Sequence, residues 1–186
     1  MTDKSYRCLG IMTGNSLDAV DTVITEFSGR GLKDVGGCST PVPSEMAERF
    51  RHLKHLLAAN GGDIETVAGK RDFNLDRLID DYMHLVAATV KQCLSAHGFQ
   101  PQDIDAVGFH GQTCAHKPPS VAGTANPDAV YTLQIGDGQM LADLTDIPVV
   151  YDFRSDDLMN GGEGAPLAPI HNQHLAADLR AKGIFP

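Results

Sequence analysis

The residue types best suited to chemistry lie close together near the start of the chain, from Gly14 to Asp21. Glycine, asparagine and serine at 14–16 favour a tight turn, which can aim backbone N–H groups and the Ser16 hydroxyl at one concave spot that suits a phosphate. Asp18 and Asp21 come next, and Mg²⁺ prefers one or two carboxylates together with phosphate oxygens. The segment predicts a phosphate site with Mg²⁺ beside it. A surface hairpin with solvated aspartates is the alternative interpretation.

A second set of polar residues follows three short apolar runs in the later part of the chain. The runs are predicted strands over 105–109, 131–135 and 147–151, and the polar groups after them are His110 with Gln112, Asp137, and Asp152 with Arg154. Open α/β sheets bind ligands at the carboxyl ends of their strands. His110, Gln112, Asp152 and Arg154 are therefore predicted to line a substrate cleft at one sheet edge.

Other combinations of reactive side chains are incomplete. His171 and His174 lie three apart on the predicted last helix, where both could face one metal, but no carboxylate or cysteine at matching spacing completes a ligand set. Ser16, Asp18 and His110 form a hydrolytic triad only on paper, because the G-x-S-x-G elbow is absent. Neither a Walker A sequence nor a G-x-G-x-x-G fingerprint occurs, so a nucleotide must bind in another way.

The composition is that of an acidic globular chain. It has 186 residues, 42% of them hydrophobic, which is enough to bury a core as one domain or as one lobe of something larger. The 15 basic and 24 acidic residues give a net charge of −9. This balance argues against non-specific binding to nucleic acid or to an anionic membrane, since both begin with Lys and Arg contacts. A phosphate must then be held by backbone groups and a metal.

Cysteine usage and the absence of targeting signals indicate a reducing compartment. Cys8, Cys38, Cys93 and Cys114 show no C-x-x-C spacing. No signal peptide and no apolar run of about 18 residues is present. These features predict a cytoplasmic protein.

The elements that must position these groups alternate between strands and helices, which predicts an α/β fold. Strands over 6–12 and 20–27 flank the turn as a hairpin. A glycine-rich turn region over 29–37 and a short strand near 38–42 are predicted next.

Two amphipathic helices are predicted after this strand. Ser44 is the predicted N-cap of the first, whose apolar residues recur at spacings of three and four until the break at 60–62. The second is longer and is closed by Gly98. His84 and His97 on the second helix are interpreted as surface or hydrogen-bonded groups and not as ligands. The two apolar stripes are Met46, Phe50, Leu53 and Leu57, and Leu75, Leu78, Ile79, Tyr82, Val86, Val90, Cys93 and Leu94.

Shorter elements complete the chain. Residues 117–128 form a Pro/Gly/Ala-rich loop long enough to be suspected of function, and 139–145 form a short helix. A tight backbone region over 161–166 precedes a closing helix over 167–182.

Five separated segments, taken together, resemble the anhydro-N-acetylmuramic acid kinase family, and their order and spacing match that family as well. They are G-I-M-T-G-N-S-L-D-A-V-D at 10–21, G-F-H-G-Q-T at 108–113, T-L-Q-I-G-D at 132–137, I-P-V-V-Y-D-F-R at 147–154 and G-G-E-G-A-P-L at 161–167. The resemblance implies the actin-like sugar kinase and Hsp70 ATPase fold, in which two ribonuclease H-like α/β lobes, built on mixed sheets with flanking helices, surround a nucleotide cleft. Residues 1–186 then correspond to the N-terminal lobe, with the second lobe absent from this chain.

The resemblance also implies an activity. The family uses ATP, Mg²⁺ and water to open the 1,6-anhydro ring of 1,6-anhydro-N-acetylmuramic acid and to phosphorylate O6, a step of cell-wall sugar recycling. The general base is expected in the second lobe, beyond Pro186, and Asp152 is expected to be a residue of the sugar cleft. The segment that matches the family's phosphate-binding hairpin is Gly14, Asn15, Ser16, Leu17, Asp18, Ala19, Val20 and Asp21.

Two segments depart from the family pattern. In the hairpin, Thr13, Asn15 and Ala19 stand where the family has Ser, Thr and Gly. After Arg154, an acidic run over 155–157 replaces further basic residues, which removes positive charge that could meet the sugar's carboxylate. An inward Arg154 paired with this run is the structural alternative to a role in sugar binding.

Two classes of function follow from the sequence. The first is an ATP-dependent sugar kinase of which this chain is one lobe, inactive without the other. The second is a non-catalytic nucleotide-binding or interaction module with an Hsp70-like fold. A homodimer is compatible with either, because an uncovered face between the lobes would be apolar.

Overall fold

The computed structural model of the chain describes residues 4–29, 31–70, 72–122 and 130–184. Two compact units are present. The first comprises Met1–Ala115 and Leu133–Asp152, and the second comprises His116–Thr132 and Phe153–Pro186. Of the predicted loop over 117–128, the residues from 123 onward lie outside the described ranges.

The first unit is built on a five-stranded mixed sheet. Its strands are β1 (Tyr6–Thr13), β2 (Ala19–Ser28), β3 (Gly31–Pro41), β4 (Ala106–Phe109) and β7 (Val149–Tyr151). They lie in the order β3-β2-β1-β4-β7. The first three strands form an antiparallel meander, while β4 runs parallel to β1 and β7 runs parallel to β4.

Helices pack on one face of this sheet. They are α1 (Ser44–Ala59), α2 (Ile64–Ala68), α3 (Leu75–His97) and α5 (Gly138–Thr145), with a 3₁₀ turn at Pro101–Asp103. The predicted apolar stripes form the core, in which Phe50 and Tyr82 are fully buried and meet edge to face with their ring centroids 5.2 Å apart. None of the helices in the described part of the chain is long and apolar enough to cross a bilayer.

Strand register decides which side chains face the helices. Leu9 and Val20 point into the core and are fully buried. Met12 and Asp21, which lie opposite each other across β1 and β2, point to the other face and are exposed. The Asp21 side chain therefore lies on the face of the hairpin that points away from the helices.

The second unit carries shorter elements. It includes parts of β5 (Gln112–Lys117) and β6 (Tyr131–Ile135), which form a two-stranded sheet, together with α4 (Pro119–Ala122), α6 (Phe153–Met159) and α7 (Ala168–Ala181). The side chains of α7 are all at least partly accessible, and Ile170 and Leu175 are exposed on it.

Three expectations from the sequence are wrong. Of the predicted glycine-rich turn region over 29–37, residues 31–37 belong instead to the eleven-residue strand β3. Ser44 is the first residue of α1, and Pro43 occupies the N-cap position without a side-chain hydrogen bond. The strand over 131–135 does not belong to the five-stranded sheet but pairs with β5, although its carboxyl end still lies against the end of β4, where a Cβ on Gly136 would be 2.6 Å from the Phe109 ring.

The glycines of β3 have a packing role instead of a turning role. A Cβ on Gly36 would lie 2.5 Å from the His97 ring, and one on Gly37 would lie 2.9 Å from the Thr22 carbonyl oxygen. Glycine within a strand often marks such a close approach of backbone or ring. Composition alone does not distinguish this role from that of a turn.

A buried hydroxyl pair ties the end of β1 to the middle of α3, next to the turn at Gly14. Thr13 Oγ1 and Tyr82 Oη lie 2.9 Å apart, and both side chains are buried. Replacing Tyr82 with Phe leaves the Thr13 hydroxyl buried without this partner, so we expect the free energy of unfolding to fall by about 1–3 kcal/mol. Urea denaturation at constant m-value measures the loss.

The matched control for this pair is Thr13→Val, alone and combined with Tyr82→Phe. The double variant should be less destabilised than the sum of the two single variants, because the second substitution removes the hydroxyl that the first left unpaired. Strictly additive losses would show that the two hydroxyls do not stabilise the fold as a pair.

Candidate functional site

The predicted turn is formed as expected between β1 and β2. Leu17 N donates to Gly14 O over 3.2 Å, which places Asn15 and Ser16 at the tip of the turn. Leu17 adopts a left-handed backbone conformation, with φ of 57°, and its side chain is buried. This conformation costs a non-glycine residue on the order of 1 kcal/mol, so the surrounding structure must hold the residue in it. Burial of the Leu17 side chain does so here.

Asp18 already uses the hydrogen-bond donors that were predicted for a phosphate. The Ser16 hydroxyl donates to the Asp18 carboxylate. The hydroxyl and the backbone N–H groups of Asp18 and Ala19 together lower the pKa of this exposed carboxyl below its usual value. The turn thus gathers its donors around an anion, which here is a carboxylate of the chain itself.

Asp18 and Asp21 differ in their surroundings. Asp18 precedes β2, and its carbonyl oxygen accepts from Val42 N at 2.9 Å, so the residue is fixed to the end of β3. Asp21 lies within β2, between Met12 on β1 and Ser39 on β3. The Asp18 carboxylate is therefore held by hydrogen-bond donors of the turn itself, whereas Asp21 projects from the exposed face of the sheet.

Lys54 is a neighbour of the turn that sequence reasoning missed. Its ammonium group donates to Asn15 Oδ1 over 2.9 Å. Burial is the main cause that lowers the pKa of Lys54. Its position beside Leu53 on the core stripe gave no sign of this role, because the contact depends on how α1 packs against the hairpin. A positive charge thus stands at the predicted phosphate site.

His110 and Asp152 lie at one edge of the five-stranded sheet, as predicted. Phe109 and Tyr151 are partners across the parallel strands β4 and β7, and His110 and Asp152 are the next residue of each strand. His110 Nε2 lies 3.2 Å from Met12 Sδ. Asp152 has a left-handed φ of 54°, and strained non-glycine residues of this kind cluster at functional sites.

Gln112 lies deeper than predicted. Its side chain is fully buried, with Nε2 donating to Thr113 O over 3.2 Å. Oε1 has no hydrogen-bond partner among the described residues. A buried acceptor without a partner is uncommon and costly, and it often marks a ligand or water site. Its role in sugar binding stays a prediction.

Arg154 belongs to the second unit, within α6. Its charge contributes to a lowered pKa of His116, for which burial is the larger cause and which the nearby Glu163 opposes. Glu163 in turn accepts from the Ser120 hydroxyl at 2.6 Å. Arg154 thus lies in a polar group made of residues of the second unit, while His110, Gln112 and Asp152 belong to the first.

An open depression of about 520 Å³ lies elsewhere, between the end of α5 and the start of β7. Its lining includes Asp143 and Asp146 but none of the predicted phosphate or sugar residues. The candidate site is therefore argued from the geometry of the turn and the sheet edge.

Comparison with known proteins gives the family. The family model for anhydro-N-acetylmuramic acid kinase matches residues 6–184. Proteins named anhydro-N-acetylmuramic acid kinase are 35% identical over 173 residues in Brucella canis, 36% over 176 in Methylorubrum populi and 37% over 173 in Azorhizobium caulinodans. The matches cover 93%, 91% and 93% of this chain.

The chain spans less than half the length of these relatives, since the matched segments make up 43%, 44% and 43% of them. The five-stranded mixed sheet with its flanking helices agrees with the sugar kinase and actin-like ATPase fold of that family. On the extent of the family match and the fold together, this chain belongs to the anhydro-N-acetylmuramic acid kinase family.

Proposed function

We propose that this chain is the N-terminal lobe of an ATP-dependent kinase that acts on 1,6-anhydro-N-acetylmuramic acid and opens its anhydro ring as it phosphorylates O6. The observation that carries the proposal is the turn at 14–19, where hydroxyl and backbone donors converge on an anion and a lysine stands beside them. Family membership supports a kinase that acts on this sugar, because the matched relatives are named anhydro-N-acetylmuramic acid kinase, and the ring opening is part of the proposal. The second lobe is proposed to supply the adenosine pocket and the general base.

The donor group is proposed to exchange one anion for another when nucleotide binds. The Ser16 hydroxyl and the N–H groups near Asp18 hold the Asp18 carboxylate in the free chain. A phosphate oxygen has the same need for donors, so it would take them over, leaving the displaced carboxylate free to ligate a cation at its edge. Mg²⁺ bound there would offset the charge of the transferring phosphoryl group.

Lys54 is proposed to hold the turn in shape and to add positive charge near the phosphates. Its bond to Asn15 fixes the side chain at the tip of the turn. A partly buried ammonium group is screened less by water than a surface lysine, so its field at the phosphates is stronger. The net charge of −9 gives this single cation more weight, because the rest of the chain repels an anion.

Lys54→Met should weaken the binding of Mg²⁺·ATP about tenfold, since a charge-assisted hydrogen bond and a nearby cation are lost together. The same change removes the cost of partly burying the ammonium group, so thermal stability should stay level or rise. Lys91→Met on the exposed side of α3 is the matched control and should leave binding unchanged. Calorimetric titration with ATP and Mg²⁺ checks both. Unchanged affinity in Lys54→Met would remove Lys54 from the site.

The sugar is proposed to bind at the carboxyl ends of β4 and β7, where His110 and Asp152 lie. Arg154, which lies in the second unit, is proposed separately to recognise the carboxylate of the sugar. A guanidinium recognises a carboxylate through two parallel bonds that an ammonium cannot copy, so Arg154→Lys should raise the KM for the sugar about tenfold or more while the KM for ATP stays the same. Arg77→Lys, at an exposed position on α3, is the control. Equal loss for both substrates would place Arg154 in the scaffold.

The proposed function is tested with the full-length gene product in a coupled assay containing ATP, Mg²⁺ and 1,6-anhydro-N-acetylmuramic acid. The expected product contains one phosphoryl group and one added water, which mass spectrometry distinguishes from a phosphorylated sugar with an intact ring. ATP binding without any sugar phosphorylation would instead support the non-catalytic module. ADP release without a water in the product would contradict the ring-opening step.

A further inference from the structure

We infer that Cys38, Cys93 and His97 form a binding site for a thiophilic divalent cation of the Zn²⁺ class, separate from the proposed phosphate site. One ligand atom from each residue lies within 4.8 Å of the other two. Around tetrahedral Zn²⁺, ligand atoms of these types lie about 3.5–3.8 Å apart, given metal–ligand bonds of about 2.3 Å for sulfur and 2.0–2.1 Å for nitrogen. Shifts of about 1 Å or less would close the set.

The fold builds this group from residues that are distant in sequence. Cys93 and His97 stand four apart on α3 and so share one face of the helix. Cys38 lies opposite Thr22 in the β2–β3 pair, and Thr22 faces the core, so Cys38 points toward α3 as well. The ligand set therefore links the edge strand β3 to the C-terminal turn of α3.

His97 is held in place before any cation binds. Its Nε2 lies 3.0 Å from Gly37 N and 3.1 Å from Gly37 O. The absence of a side chain at Gly36 makes room for the ring. Metal-binding histidines usually have one ring nitrogen bonded to a backbone carbonyl or a carboxylate, which presents the other nitrogen to the metal. This revises the interpretation of His97 as a hydrogen-bonded group without a ligand role.

The three ligand residues differ in their exposure to solvent, and the differences leave the site accessible to a cation. Cys93 is buried, Cys38 is half-buried and His97 is exposed, so a cation can reach the set from the side of the histidine. All four cysteines of the chain are free thiols. Three protein ligands leave a fourth position for water, the arrangement of open zinc sites.

Ligand chemistry separates this site from the phosphate turn. Two thiols and an imidazole select Zn²⁺ or a similarly soft cation, whereas Mg²⁺ takes oxygen ligands. Binding would release the two thiol protons and join β3 to α3, so occupancy should raise thermal stability by mass action. The set shares no residue with the turn or the β4–β7 edge, so occupancy should change the stability of the fold and leave the turnover of the proposed kinase reaction unchanged.

The test is Zn²⁺ binding to the reduced full-length gene product, measured by competition with a chromogenic chelator. One Zn²⁺ per chain is expected, with a rise in Tm. Co²⁺ in its place should give the near-ultraviolet charge-transfer band of a thiolate complex. Cys38→Ser and His97→Ala should each weaken Zn²⁺ binding at least tenfold, as loss of a ligand or of its support does. Cys8→Ser, a half-buried thiol on β1, should bind as the unmodified chain does.

Cys93 is fully buried, so its substitution risks the fold, and the two more accessible ligands carry the test. Gly36→Ala adds a second measurement, because the new methyl group must displace the His97 ring and should weaken Zn²⁺ binding in a folded chain. Zn²⁺ affinity that survives both Cys38→Ser and His97→Ala would overturn the proposal. A gene product isolated with a Cys38–Cys93 disulfide, or one that binds no Zn²⁺ when reduced, would do the same.

Discussion

Asp18→Asn is expected to lower the kcat of the Mg²⁺-dependent kinase reaction at least about 100-fold in the full-length gene product, with no loss of fold. The substitution keeps the size of the side chain and most of its hydrogen bonding but removes the charge. That charge is the part proposed to hold Mg²⁺ against the phosphates, because an ionised carboxylate oxygen is a ligand that Mg²⁺ prefers and an amide oxygen lacks its charge.

Binding of ATP without Mg²⁺ should change in the opposite direction. In the free chain the Asp18 carboxylate occupies the Ser16 hydroxyl that a phosphate needs, and it also repels the phosphate. Asp18→Asn removes this competition, so metal-free ATP should bind equally well or more tightly, while binding of Mg²⁺·ATP should weaken. A general loss of folding would lower the affinities for both metal-free ATP and Mg²⁺·ATP. A loss of Mg²⁺·ATP affinity alone therefore identifies Asp18 as a residue that holds Mg²⁺.

Asp34→Asn is the matched control for this experiment. Asp34 also accepts from a neighbouring hydroxyl, that of Thr25, at 2.7 Å, and it lies on β3 away from the turn. Its substitution should leave turnover and both ATP affinities unchanged. If Asp18→Asn behaved like Asp34→Asn at saturating Mg²⁺ and ATP, the hairpin would not hold the metal, and Asp21 would have to be tested in its place.

The parts of this fold that depend on local pattern were predictable from sequence. The hairpin at 6–27, the long helix closed by Gly98 and the short helix α5 each follow from periodicity and turn chemistry within a few residues. The strand β3 was not predictable, because its glycines are typical of a turn in the sequence. Their packing against the His97 ring and the β2 backbone becomes visible only in the structure. Close approach between distant segments leaves no local signal.

The same division applies to the candidate sites. The turn residues and the pair at the ends of β4 and β7 were predictable, since each lies next to the element that positions it. Lys54 and the set Cys38, Cys93 and His97 were not, because their partners come from elements far along the chain. Residues that act through tertiary contacts need the register of the sheet and the packing of α1 and α3 before they can be found.

The second large effect concerns the 186-residue chain by itself, which should fold but turn over anhydro-N-acetylmuramic acid at least about 1,000-fold more slowly than a full-length relative. Folding is expected because the first unit has a continuous buried core from the sheet to α1 and α3. Catalysis is not expected, because phosphoryl transfer needs charge and positioning on both sides of the phosphoryl group, and the relatives are more than twice as long as the segment matched here.

A matched comparison distinguishes inactivity caused by the missing second lobe from inactivity caused by a poorly prepared protein. The Methylorubrum populi relative, cut to the segment matched here, should lose activity to the same degree, while the intact relative remains active. Both short chains should give cooperative urea unfolding, and both should self-associate at high concentration, since Met12, Val150 and Ile170 leave apolar surface exposed. The prediction would be wrong if the 186-residue chain turned over the sugar about as fast as the intact relative does. One lobe would then hold every group that the reaction needs.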